Sequence, residues 1–376
     1  MFQPRNFRFG FVRYARVVLV LPLALLGMLL GQIGKVGTKE DTPAKFLTSF
    51  SADGDVNGNR TGCQNLRDFF QPSAAGSDIT GERPTACDQV LDIVAGRADA
   101  ADSAKPIAAA KIAVDSNLRV LITEPTTHTV HILNFITRKY SQIDGAKDDR
   151  LRYPYGIAVD VNNSIYVTDI KLGRIAVYNA SGKFMRYMGN FKSENLFEDP
   201  QSIAIHRPTG RIYVTDTTRN FVVILDREGK IVAEIGKRGG GSGPAEFNQP
   251  TEIAVYENEV FVLDRGNFRI QVLDLDGKFR RQFRFRNAAG SNTDGMTIDS
   301  RGRLFISFLS WIEAYNLQGQ FLFRFGQGGD HPGEFQAPNG ISTDAEDRVY
   351  VVDAGNRRIQ VFQVASQVTT KTAAAR

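Results

Sequence analysis

Beyond about residue 110 the chain is written in short apolar runs broken by clusters of Gly, Asn, Asp and Ser. The runs at 157–160 (IAVD), 165–169 (IYVTD), 174–178 (RIAVY) and 183–189 (KFMRYMG) show the pattern. Runs this short, rich in β-branched and aromatic residues, predict strands, and after residue 100 no apolar 3.6-residue period is long enough for a packed helix. The pattern then repeats. Copies begin at Arg150, Phe197, Phe247, Ser291 and Phe335, with a more worn one at Ile112. Aligned where the second strand of each copy ends, they place Glu124, Asp169, Asp216, Asp264, Phe308 and Asp353 at intervals of 45, 47, 48, 44 and 45. Such a period, with four strands in each unit, predicts the blades of a propeller.

Turn chemistry accounts for the polar residues that recur. Asn179–Gly182, Asp226–Gly229, Asp274–Gly277 and Asn316–Gly319 each put a side-chain acceptor first and Gly last, as a hairpin between third and fourth strands requires. Asp264 and Asp353, each followed two and three residues later by Gly and Asn, are expected to hold their own loop amides. The Gly-rich 239–243 lacks the Lys and Ser/Thr of a phosphate loop and reads as an inter-blade linker. The last copy stops at its third strand, around 360–363, and 90–97 (VLDIVAGR) matches the fourth-strand pattern of KIVAEIGKR, so it is expected to close the ring. The predicted fold is all-β: a six-bladed β-propeller of four-stranded antiparallel blades, its last blade closed by an N-terminal strand.

A different pattern opens the chain. Arg5, Arg8, Arg13 and Arg16 precede 18 uncharged residues, 17–34, which end at Lys35. A basic head before an apolar helix is an export signal, and the helix is long enough to stay as an anchor; neither cleavage nor retention is decided. Either way, everything after about residue 36 is expected outside the cytoplasm, in the periplasm or at the cell surface. The leader also owns the net charge of +5, so the other 341 residues sum to zero and the pI of 9.1 does not point to nucleic acid. Cys63 and Cys87 suit one disulfide in an oxidising compartment, or remain two free thiols. The expected organisation is a signal or anchor over 1–35, a tether over 36–87, a propeller over 88–365 and a disordered tail over 366–376.

The phrases PYGIAVD, VTD, DRGNFRIQV, LDGKF and GKRGGGSGPAEFNQP resemble NHL repeats, units of six-bladed propellers within the TolB-like group. The resemblance covers roughly 112–363 and implies the fold without an activity. Two narrower likenesses bear on chemistry. DGMTID at 294–299 and PNG at 338–340 are similar to the channel-mouth motifs of gluconolactonase-type enzymes, in which an Asp and an Asn bind a divalent metal. That family also uses a Glu in an early blade, where this chain has Ala109, Ala110 and Lys111. Peptide-amidating lyases resemble the chain in phrases such as VTDIKLGRIAVY, but their zinc histidines fall where this chain has Gly173, Asn220 and Phe268. The four histidines here, His128, His131, His206 and His331, offer no three convergent ligands in sequence, and His128 and His131 read as two positions of one strand.

Two sets of residues are candidates for function. The residues at the start of the innermost strands, Tyr155, Gln201, Glu252 (or its neighbour Thr251), Asp294 and Asn339, are expected to ring one mouth of the channel. Oxygen donors converging there would suit calcium or another divalent cation, with Asp294 and Asn339 as the metal pair, and a lactonase-like hydrolase as the matching activity. The other set is a basic rim: Lys171, Arg174, Arg219, Arg265, Arg269, Arg357 and Arg358 in the loops after the second strands. Rigid blades with variable loops suit recognition. The expected function is a non-catalytic binding or scaffold module, monomeric and without cofactor, held to the membrane by its N-terminal segment. Its expected partner is an envelope protein or polysaccharide rather than nucleic acid.

Overall fold

The computed structural model describes residues 44–51 and 109–364, apart from 135, 138, 146, 148–149, 189–195 and 287–292. They form six four-stranded antiparallel sheets, and in five of these the strand order follows the chain from the axis outward. The inner strands are Ile112–Val114, Pro154–Val159, Pro200–His206, Pro250–Tyr256, Gly295–Ile298 and Pro338–Thr343, one for each of blades one to six. Among the described residues the only helical turns are the single 3-10 turns Arg265–Asn267 and Ala354–Asn356, and no helix is long and apolar enough to cross a membrane. The apolar stretch 17–34, the two cysteines and 366–376 lie outside the described residues.

The sixth blade is closed from the N-terminal side, but by a different segment from the one expected. Ala44–Ser51 pairs with Arg358–Val364 in a register running from Ala44↔Val364 to Ser51↔Arg358, with a bulge between Phe46 and Thr48. The expected closing segment, 90–97, lies outside the described residues, and the strand that closes the blade falls within the stretch 36–87 expected to be a tether. The reason lies in what an outer strand must do. It is half solvated, so it needs only a loose alternation, which several N-terminal segments satisfy. The more specific signal is a motif: KFLTSF at 45–50 has the spacing of KFMRYM at 183–188, KFRRQF at 278–283 and QFLFRF at 320–325. Those three are outer strands, and each also carries a bulge against its third strand.

Each blade buries its faces only against its two neighbours, and six apolar clusters fill the six gaps. Ile122, Val120 and Leu133 of blade one meet Tyr350, Val352 and Ile359 of blade six, which shuts the ring. Phe305, Ala314 and Phe325 of blade five meet Val349, Phe362 and Ala44 across the neighbouring gap. The linkers between blades are pinned in the same way. Leu151, Phe197, Phe247 and Phe335 each lie three residues before the proline of an inner strand, and each is buried.

The recurrent aspartates brace the loops. Asp169 accepts hydrogen bonds from the amides of Arg152, Tyr153 and Leu172, and Asp216 from those of Glu198, Asp199 and Arg219. Their carboxylates are buried, and several amide donors replace the water they lose. Where blade five has Phe308 the brace is apolar instead: Phe308 packs edge-on to Phe285 and stacks on Trp311. In blade one Glu124 pairs with His131 at 2.9 Å, while His128 lies in the turn before that strand, with φ 62°, and not within it.

Candidate functional site at the channel mouth

The inner strands bring one residue of each blade to the axis just before their first apolar position: Lys111, Gly156, Ser202, Glu252, Gly295 and Gly340. Glycine at three of them is a packing requirement. A Cβ on Gly156 would stand 2.8 Å from Thr168 Oγ1, one on Gly295 2.0 Å from the Asn339 carbonyl oxygen, and one on Gly340 3.0 Å from that of Ala110. Into the space so left, blades one and four project opposite charges. Lys111 Nζ donates to Glu252 Oε1, to the Asp294 carbonyl oxygen and to Asn339 Oδ1, the last at 3.3 Å. Ser202 Oγ donates to Glu252 Oε2 at 2.8 Å, so both carboxylate oxygens are engaged.

Both partners are buried, with residue exposures of 7% for Lys111 and 5% for Glu252. Burial alone would lower the Lys111 pKa, but Glu252, Tyr155 and Asp294 outweigh it and hold the ammonium above its ordinary 10.5. Burial pushes the Glu252 carboxyl up, against the pull of Lys111 and Ser202.

Around this pair stand the residues expected at the mouth. The Tyr155 ring lies 5.4 Å from Lys111 Nζ and is stacked on Tyr153, and its phenol is raised by burial. Gln201 Nε2 donates to Asp199 at 3.0 Å. Thr251 is buried with no partner for its hydroxyl among the described residues. The expected metal pair does not converge on a shared cation. Asn339 turns its oxygen to Lys111, and the Asp294 carboxylate lies 3.8 Å from Arg265 Nη1. The Lys111 ammonium group lies instead between the Asn339 side-chain oxygen and the Asp294 backbone carbonyl.

Sequence reasoning found Glu252 but took Lys111 for a missing ligand. The available signal was one residue further along each strand, where a lysine and a glutamate interrupt a row of small residues. The pair also divides the axis. A cavity of about 520 Å³ lined by the inner strands runs from Lys111 and Glu252 to Asp115, Arg207, Asp299 and Asp344 at the far face. Tyr155, Gln201, Asp294 and Asn339 do not line it, so the ion pair stands between mouth and channel.

The basic rim separates into two kinds of residue. Arg269 and Arg358 are buried and structural, contrary to expectation. Arg358 pairs with Asp353 at 2.8 Å and donates to the carbonyls of Asp330, His331 and Glu334; Arg269 pairs with Asp264 at 2.7 Å and donates to those of Ser242, Gly243 and Glu246. Arg174 lies half-buried over the Tyr187 ring at 3.5 Å, and Arg219 pairs with Glu234 at 2.7 Å. Lys171 and Arg357 are exposed, and Arg265 is half-buried beside Asp294. The rim is thus a few cations around the mouth rather than a continuous band.

Comparison with known proteins agrees with this architecture. Residues 190–292 match the family described as 6-bladed beta-propeller, and residues 335–362 match the NHL repeat. The chain is 25% identical over 229 residues to peptidyl-glycine alpha-amidating monooxygenase of Mus musculus, covering 56% of this chain and 23% of that one. It is 28% identical over 137 residues to protein brain tumor of Drosophila melanogaster, covering 34% and 12%. With NHL repeat-containing protein 3 of Mus musculus it shares 30% over 140 residues, covering 33% and 40%. The chain therefore spans less than half the length of each of these relatives. Among solved structures, a streptogramin B lyase superposes with a TM-score of 0.53 at 15% identity, covering 69% of this chain and 94% of that one. A gluconolactonase from Xanthomonas campestris gives 0.54 at 15%, covering 68% and 86%. At that identity the likeness is one of fold. Blade count, ring closure and repeat sequence agree, and the chain is a six-bladed β-propeller carrying NHL repeats.

Proposed function

We propose that the protein is a binding module, exported and held at the membrane by its N-terminal segment, that presents the mouth face of the propeller to an acidic envelope protein or polysaccharide. The observation that carries this reading is Lys111. A divalent ion in the mouth would have to displace the ammonium from Glu252, Asn339 and the Asp294 carbonyl, leaving a buried lysine without its partner. The arrangement supports a closed, rigid mouth over metal-dependent hydrolysis of the gluconolactonase kind. The exposed Lys171 and Arg357 and the adjacent Arg265 supply positive charge on that face, although residues 36–376 as a whole are neutral.

The test is site-directed photo-crosslinking from position 268, where the exposed Phe268 follows the Arg265–Asn267 turn on that face, in the full chain in its own cells. Adduct formation is expected to survive Asp294→Asn and to be lost in Lys171→Glu/Arg357→Glu. An adduct indifferent to the charge reversal, or metal-dependent lactone hydrolysis by the purified chain that disappears in Asp294→Asn, would overturn the reading.

A further inference from the structure

The two linkers that precede blades four and six are copies of one device. Each ends in Glu-Phe, each folds under a buried arginine, and in each the arginine takes three carbonyls at equivalent positions: Ser242, Gly243 and Glu246 in one, Asp330, His331 and Glu334 in the other. The glutamates do the same local work. Glu246 Oε2 accepts from the Gly243 amide at 3.0 Å and Glu334 Oε2 from the His331 amide at 3.1 Å. The first linker therefore acts as an internal control: it makes the clasp with Ser-Gly where the second has Asp-His. The carboxylate of Asp330 and the imidazole of His331 are surplus to the fold.

Those two side chains, with Glu334, converge. His331 Nδ1 lies 2.9 Å from Asp330 Oδ1 and 3.2 Å from Glu334 Oε2, and one ligand atom from each of the three residues falls within 4.8 Å of the others. Zinc bonds of about 2.0–2.2 Å at tetrahedral angles set donors about 3.3–3.6 Å apart, so a bound ion would need the two distances to the imidazole to open by less than about 1 Å. The donors are also held in place. Gln327 Nε2 donates to Glu334 Oε1 at 2.7 Å, and the Arg358 guanidinium fixes the backbone of all three residues.

We propose that Asp330, His331 and Glu334 form a zinc site on the mouth face, at the rim between blades five and six. His331 Nδ1, Asp330 Oδ1 and Glu334 Oε2 are the ligands, and a water, or a donor from a bound partner, takes the fourth position. An imidazole with two carboxylates selects a borderline ion such as zinc over calcium, which takes oxygen alone. The site is distinct from the Lys111 pair and does not depend on the binding-module reading.

The experiment exchanges the surplus side chains for those of the control linker, in the variant Asp330→Ser/His331→Gly. With the purified full chain, zinc is titrated against a chelating indicator and thermal melts are recorded with and without the metal. The native chain is expected to bind one more equivalent of zinc than the variant, and zinc is expected to raise the melting temperature of the native chain alone. Cobalt supplies a readout independent of stability: a visible band of four-coordinate Co2+ is expected in the native chain and reduced in His331→Ala. Equal zinc stoichiometry in native and variant chains, or a cobalt spectrum unchanged by His331→Ala, would overturn the proposal.

Discussion

At the scale of single residues, the pair at the mouth sets the sharpest expectations. Lys111→Ala leaves the Glu252 carboxylate buried without its cation and should destabilise the propeller by about 3–5 kcal/mol, whereas Lys111→Met with Glu252→Gln removes both charges and should cost much less. Urea denaturation of the two variants measures the difference, and equal losses would mean that the pairing is incidental. The pH dependence follows from the raised Lys111 pKa. Its contribution is fully present below the ordinary value of 10.5 and is lost as pH rises through the higher folded value. The double variant should therefore lack that part of the alkaline loss of stability. The two rim arginines 357 and 358 differ as sharply. Arg358→Ala removes the cation paired with the buried Asp353 and a donor to three linker carbonyls and should cost about 3–5 kcal/mol, while the exposed Arg357→Ala should stay within about 0.5 kcal/mol, read from the same denaturation curves. Sequence could not separate them. Arg357 is the residue with φ 53° that turns the chain out, and Arg358 is the first residue of the strand.

At the scale of elements, what was legible was whatever local chemistry decides. The hairpin turns with Asx first and Gly last fold as expected, with Asn179, Asp226, Asp274 and Asn316 each accepting from amides two and four residues on. The aspartates that end second strands brace their loops. What was not legible was pairing between segments far apart, because the outer strand of a blade carries little pattern of its own. The choice of closing strand has a direct check. Deleting residues 44–51 should expose the edge of Arg358–Val364, lower the melting temperature and promote association, while deleting 90–97 should leave melting unchanged. Calorimetry with size-exclusion chromatography reads both, and the opposite pattern would return closure to 90–97. The internal linkers show how repeats help where single segments do not: Glu246 and Glu334 share a role that neither reveals alone.

At the scale of the whole molecule, the period of 44 to 48 residues was enough for the fold, since each unit can bury its faces only on its neighbours. The site was half legible for the same reason. The repeat locates the mouth, but the residues that fill it are those that break the repeat, and Lys111 lies in its most worn copy. The closing register adds a consequence of another kind. Residue 44 pairs with residue 364, so the last sheet cannot be completed until nearly all of the chain is available. Until then the five completed sheets form an open arc with an apolar flank at each end, Val120 and Ile122 on blade one and Phe305 and Ala314 on blade five, both of which the sixth blade covers. Closure is thus a late step across the longest separation in the propeller, and the time before it is when a nascent molecule is most open to joining its arc to that of another copy.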